Sequence, residues 1–239
     1  IFFCWGFTST SVDMLIPRIK SMFDLSYTSA LLIQFSFFLA YLFVPIPAGK
    51  FVQGYGYRQS LFIGIALTAL GVLSLAPSVM LQFYPAFLGG IFVTASGIAV
   101  LQVTANPMIL SLGNPITAPR RLMLSQAFNS LGTTIAPVIA SVSLLSIDTL
   151  STGQINLLPL GEKATYHQDS TRATISFALV LGSLVGILAL IIRALPQLNL
   201  QSSKKTQTAD KTVISSYLSL LKKRKVYLGM GAIFFYVGA

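Results

Sequence analysis

Residues 83–112 read FYPAFLGGIFVTASGIAVLQVTANPMILSL and contain no Asp, Glu, Lys, Arg or His. Crossing the hydrocarbon core of a bilayer takes about 20 apolar residues in a helix. This stretch therefore predicts a transmembrane helix, and the same ruler applied outward finds more. Spans are predicted at roughly 27–48, 59–77, 120–146 and 171–195. An incomplete first span ends near Pro17, and a last one begins near residue 226. Pro45, Pro47, Pro107 and Pro137 lie inside these runs. Membrane bundles tolerate such prolines because neighbouring helices satisfy the freed backbone groups.

Composition supports this reading. Of the 239 residues, 54% are hydrophobic and 9% charged, with a mean hydropathy of +0.77. A soluble domain carries roughly a quarter charged residues, so this chain cannot cover a water-exposed surface and lipid is its solvent. Sixteen basic residues against six acidic ones raise the question of nucleic acid. Their position between apolar runs excludes it and points to membrane flanks. The segments after spans 2, 4 and 6 hold Lys50, Arg58, Arg120, Arg121, Arg193, Lys204, Lys205, Lys211 and Lys222 to Lys225. The opposite side holds Arg18, Lys20, Lys163 and Arg172. Lys and Arg collect on the cytoplasmic side, which places the first group and the N-terminus in the cytoplasm.

Three regions are expected. Residues 1–196 form a six-helix lobe whose first helix is truncated, 197–225 a basic cytoplasmic linker, and 226–239 the start of a seventh span. Both ends fall inside apolar runs and read as cut. Gln201 to Lys211 is a flexible, polar tract. Val213, Ile214, Tyr217, Leu218 and Leu221 recur at helical spacing before Lys222-Lys223-Arg224-Lys225. A surface-lying amphipathic helix and a solvated charge run both account for that pattern. Six spans, a long basic inner loop and a seventh span make the layout of a two-lobed carrier, whose lobes are often 3+3 inverted repeats. A trace of such a repeat pairs Leu32 and Gln34 with Leu124 and Gln126, and Leu39, Pro45 and Ala48 with Leu131, Pro137 and Ala140.

Ionisable residues are costly inside a membrane and mark function. The spans contain one carboxylate, Asp13, with Ser9 and Thr10 on its helix face and Pro17 a turn ahead. Protonation would neutralise a charge that burial disfavours, so Asp13 is the candidate proton-coupling residue. An interfacial carboxylate near the outer end is the plainer reading. Gln102 and Asn106 share one face of span 4, Gln126 and Asn129 one face of span 5, and span 2 adds Gln34. Amides both donate and accept hydrogen bonds, which suits a neutral polyhydroxylated ligand, and these five are the candidate substrate-binding residues. Each alone also suits interhelical bonding. Trp5, Phe37, Phe38 and Tyr41 near the apolar ends are able to stack on a sugar ring, but such residues more often pack or form the interfacial belt, and only Trp5 is given weight as a site residue. Cys4 reads as a small buried hydrophobe, and His167 as a surface residue with no second His or Cys nearby. No nucleophile–base pair, metal-ligand cluster or cofactor motif is visible, so the chain does not read as an enzyme.

Longer tracts carry a family resemblance. Phe2-Phe3-Cys4-Trp5-Gly6-Phe7, leading to Asp13-Met14-Leu15-Ile16-Pro17, resembles the start of the fucose–galactose–glucose proton symporters of the major facilitator superfamily. So do Phe23-Asp24-Leu25-Ser26-Tyr27, Pro45-Ile46-Pro47-Ala48-Gly49, Leu101 through Pro107 and Arg121 through Gly132. The resemblance implies the N-terminal half of a twelve-helix carrier that works by alternating access and takes up a hexose with protons. It implies a monomer in a bacterial cytoplasmic membrane, and a C-terminal half that completes the site. It also implies proton coupling at Asp13 and amide function at Gln126 and Asn129. A second family acid falls at Gln102, which is similar to the glucose/galactose branch and shifts the proton burden to Asp13. Val12, Ser9 and Thr10 stand where the family places asparagines, and Gln53 where the superfamily's loop signature has an acid. A facilitated sugar uniporter, or an exporter of another small molecule on the same fold, is the alternative.

Overall fold

Helix α1 covers Phe2–Asp13 and α2 covers Ile16–Met22. A single helix ending near Pro17 was expected, and proline explains the break. Pro17 has no N–H to offer the Asp13 carbonyl, so the ladder stops there. Leu15 instead bonds back to Val12 at 3.0 Å, a tighter i→i−3 turn, and Pro17 then sits in the first turn of α2, where its missing N–H costs nothing.

The computed structural model describes residues 1–144, 157, 159–194, 226, 228 and 229. The chain divides into two compact units, Ile1–Ser202 and Ser203–Ala239. In the second, Val226, Leu228 and Gly229 are helical. The expected linker and its amphipathic segment lie outside the described residues.

The remaining elements of the first unit are α3 (Tyr27–Phe43), α4 (Pro45–Met80), α5 (Tyr84–Ser111), α6 (Ala118–Leu144) and α7 (Leu160–Ala194). A short 3-10 turn, Pro115–Thr117, precedes α6. Two boundaries differ from expectation. The loop predicted between residues 48 and 59 is helical within α4, interrupted at Gly56, whose φ of 80° needs a residue without Cβ. Phe51 and Tyr55, one turn apart, stack at 4.4 Å across this segment. Helix α7 begins eleven residues before the predicted span, with Glu162 in its first turn, where an acid complements the helix dipole. Hydropathy detects where lipid begins, not where backbone hydrogen bonding begins.

By length and composition, Pro45–Met80, Tyr84–Ser111 and Gly161–Ala194 suffice to cross a membrane. Helix α6 has the length but carries Arg120, Arg121, Gln126 and Asn129.

Helix α4 packs along both α5 and α7, while α1 lies on α6 and α3 on α5. The centre of the unit holds Leu61, Ile65, Val72 and Leu75 of α4, Phe87 and Ile91 of α5, and Leu181 and Val185 of α7. Several buried hydroxyls are satisfied within their own helices, whereas those of Ser11 and Ser170 find no partner among the described residues. Thr68 donates to the Gly64 carbonyl, Thr94 to Gly90 and Thr104 to Val100. The outward surface is the reverse of a soluble protein's. Leu31, Phe35, Phe38 and Leu42 are all exposed at helical spacing on α3, and Val180, Leu184, Ile187 and Ile191 on α7. Such continuous apolar stripes match a lipid surround.

Candidate functional site: a carboxylate among amides

The candidate residues come from α1, α3, α5 and α6, and close packing of α1 on α6 sets their spacing. Gly6 and Gly132 make that crossing. A Cβ at Gly6 would lie 2.8 Å from the Asn129 side-chain Nδ2 and closer still to the Asn129 backbone carbonyl oxygen; one at Gly132 would lie 2.9 Å from the Phe7 backbone nitrogen. Only hydrogen fits at both positions. Asn129 then reaches the α1 backbone, its Nδ2 donating to the Phe2 carbonyl at 3.2 Å.

Asp13 ends α1 and is exposed. Of its expected neighbours, Ser9 donates its hydroxyl back to the Gly6 carbonyl at 3.1 Å, and Thr10 is half-buried. Helices α3 and α5 contain no Asp, Glu, Lys, Arg or His, so they bring no formal charge to the site.

The amides are paired across helices. Gln102 Nε2 on α5 donates to the Tyr41 hydroxyl on α3 at 3.0 Å. Gln126 Nε2 on α6 donates to Asn106 Oδ1 on α5 at 3.4 Å. Gln34 is half-buried two turns before Tyr41 on α3, and among the described residues no hydrogen bond reaches it. Each primary amide carries two N–H donors and an acceptor oxygen. Among the described residues Gln102, Gln126 and Asn129 each donate one N–H, and each keeps a second donor and its carbonyl oxygen.

Sequence reasoning assigned Tyr41 to packing. Its ring does pack, stacking on Phe37 at 5.4 Å, but its hydroxyl also joins α3 to α5. One signal was legible: among Phe37, Phe38 and Tyr41 only the tyrosine carries a polar tip, and buried tips find partners. Trp5 is half-buried and packs against Phe2, ring centroids 5.6 Å apart, as a core aromatic does. His167 is half-buried on α7 with its ring edge-on to Tyr166 at 6.0 Å. Among the described residues no cluster of His, Cys, Asp and Glu can hold a metal. A separate cavity of about 210 Å³ lies among Phe7, Ile139, Phe177 and Leu184. Its walls are too apolar to orient a hydroxylated ligand.

The sequence is 38% identical over 239 residues to a glucose/galactose transporter of Brucella abortus, covering 100% of this chain and 53% of that protein. It is 29% identical over 240 residues to the L-fucose-proton symporter of Escherichia coli, covering 100% of this chain and 55% of that one. The fold matches the crystal structure of the E. coli fucose:proton symporter, FucP, with a TM-score of 0.79 at 28% identity. That match covers 93% of this chain and 54% of the symporter. The chain spans about half the length of the curated relatives it matches. With α1 and α2 counted as one helix broken at Pro17, the described unit is thus a six-helix lobe of a multi-pass membrane protein, from a family of carriers and not of enzymes. Residues 1–239 match the family along their whole length, and the chain belongs to the Major Facilitator Superfamily.

Proposed function

We propose that the chain is the N-terminal lobe of a secondary carrier that takes up a hexose together with protons by alternating access. One observation carries this reading: the lone carboxylate of the spans, Asp13, ends a helix packed on an amide-bearing helix, and α3 and α5 add no charge. Gln34, Gln102, Asn106, Gln126 and Asn129 contact the sugar hydroxyls, and a second lobe supplies the facing wall. The similarity to a glucose/galactose transporter and to an L-fucose-proton symporter supports the substrate class.

The physical role of the proton follows from solvation. A charged carboxylate facing a cavity that closes must leave water, which costs several kcal/mol. Proton binding from outside removes that charge, so the loaded carrier can close. Opening inward rehydrates Asp13 and releases the proton. The basic segments after spans 2, 4 and 6 face the cytoplasm, with the N-terminus on the same side, and the carrier works as a monomer without a cofactor.

The test is transport by a full-length carrier containing this lobe, reconstituted in liposomes with an inward proton gradient. Asp13→Asn is expected to abolish accumulation of glucose, galactose or fucose while sugar exchange persists. Accumulation by Asp13→Asn equal to wild type would remove Asp13 from the coupling mechanism. Gln102 favours one second reading, a uniporter, because an amide there leaves span 4 without an acid. Uptake that equilibrates but never accumulates, whatever the gradient, identifies that case.

A further inference from the structure

A seam runs between two tightly packed parts of the lobe. Helix α6 is drawn onto α1 by the crossing at Gly6 and Gly132, and α7 onto α4, where a Cβ at Gly182 would stand 2.6 Å from Leu73 Cγ. Helices α6 and α7 themselves meet only sparsely. The apolar cavity of about 210 Å³ lies along that seam, lined by Phe7, by Ile139 of α6, and by Ala173, Ser176, Val180 and Leu184 of α7. Ile139, Val180 and Leu184 are also exposed, so the cavity opens sideways, off the outside of the bundle. At about 100° per residue, Ile139 lies roughly 80° around α6 from Asn129 and 140° from Gln126, off the face that a second lobe would complete.

Length and charge identify what fills it. From Ala173 to Leu184 the cavity face of α7 rises about 16 Å at 1.5 Å per residue. That is close to half of the roughly 30 Å hydrocarbon core, the depth of one leaflet, whereas a helix crossing the bilayer would need a groove about twice as long. Arg172 and Asp169 stand at the start of the apolar run of α7. They lie four residues before Ser176 and Ala173, so both crown the cavity face. Both are exposed, and among the described residues no hydrogen bond or ion pair reaches either. His167 is half-buried against Tyr166, and Glu162 and Lys163 lie nearer the start of the helix. A cation and an anion side by side at the hydrocarbon boundary match a headgroup with one charge of each sign. One turn deeper, Ser176 adds a hydroxyl at the depth of the ester linkages.

We propose that this seam is a binding site for one phosphatidylethanolamine molecule. An acyl chain fills the cavity, Arg172 donates to the phosphate, Asp169 accepts from the ammonium, and Ser176 donates to an ester carbonyl. A void between α6 and α7 would forfeit dispersion contacts on its walls. The lipid supplies them and ties the α1–α6 pair to the α4–α7 pair. The inference needs only the membrane setting and is independent of sugar and proton.

The experiment uses a full-length carrier containing this lobe, in phosphatidylcholine vesicles with a trace of phosphatidylethanolamine bearing a diazirine in its acyl chain. After illumination, mass spectrometry locates the labelled peptides. Label is expected to concentrate around Ile139 and between Ala173 and Leu184. Unlabelled phosphatidylethanolamine should displace the probe at about tenfold lower concentration than phosphatidylglycerol or added phosphatidylcholine, the scale of one charge-assisted hydrogen bond. Choline has no N–H for Asp169, and phosphatidylglycerol has no cation. Arg172→Gln should lower labelling at the seam about tenfold and Asp169→Asn about threefold, with label elsewhere unchanged. Label spread evenly over the membrane-facing helices overturns the proposal. So does label absent from the seam because the second half of the chain or another copy covers it. Displacement by all three lipids alike, or wild-type labelling of Arg172→Gln, overturns it as well. The wild-type map and the competition series decide the matter even where a variant fails to fold.

Discussion

Placing a methyl group at Gly132 tests the crossing on which the candidate site depends. The new Cβ would stand 2.9 Å from the Phe7 nitrogen, 3.2 Å from the Phe3 carbonyl carbon and closer to the Phe3 oxygen. Ordinary carbon contacts lie near 3.5–4 Å, so α1 and α6 must part by at least about 0.5 Å. Backbone atoms cannot swing aside as a side-chain tip does, and overpacking of this kind costs about 1–3 kcal/mol. The same movement stretches the Asn129 bond to the Phe2 carbonyl from 3.2 Å beyond hydrogen-bonding range, adding about 0.6 kcal/mol. Gly132→Ala is therefore expected to destabilise by about 2–3 kcal/mol, and Gly6→Ala by a similar amount. Because the helices need to separate only once, the double variant should cost clearly less than the two singles together. Denaturant titration of the 239-residue chain in mixed micelles measures this. Its single tryptophan, Trp5, lies on α1 beside the crossing and reports the separation directly. Single variants within 0.5 kcal/mol of wild type, or strictly additive losses, refute the close crossing and with it the placement of Asn129.

Arg121 fastens the end of α5 to the start of α6 through the Ile109, Leu110 and Asn114 carbonyls and the Thr117 hydroxyl. Arg121→Ala is expected to cost about 1–3 kcal/mol. Arg121→Lys should recover less than half of that, since one ammonium cannot serve this spread of acceptors; thermal unfolding of both variants decides. Ser26 caps α3, accepting the Ser29 amide at 3.1 Å. Ser26→Ala should cost about 1 kcal/mol and Ser26→Asp nearly nothing, with faster hydrogen exchange at the first turn of α3 only for the alanine variant. A uniform change along α3 counts against the cap.

The candidate site was legible as residue types and not as partnerships. Asp13 and the five amides stand out in the sequence because each is costly in hydrocarbon, and that cost belongs to the residue itself. Which amide meets which group is another matter. Gln126 was recognisable as polar on a helix face, yet its bond to Asn106 depends on how α5 and α6 are set side by side. Tyr41 was read as a packing aromatic because apolar periodicity ranks it with Phe37 and Phe38. Its bond to Gln102 spans two helices 61 positions apart in sequence, a separation that no local pattern encodes.

Apolar length, counted residue by residue, was sufficient to establish an all-helical membrane lobe, the approximate spans and the polar residues within them. Transfer from water to lipid is a property that sums along the chain, so composition and spacing carry it. Helix ends did not follow from that sum. Breaks at Asp13 and Gly56 came from a missing N–H and a positive φ, and α7 extended eleven residues past its apolar run. Tertiary structure alone decided that α1 lies against α6 at Gly6 and Gly132, that Asn129 bonds the α1 backbone, and that Tyr41 holds Gln102. Those are matters of interhelical distance within a few tenths of an ångström, set by mutual packing of many side chains, and hydropathy does not vary on that scale.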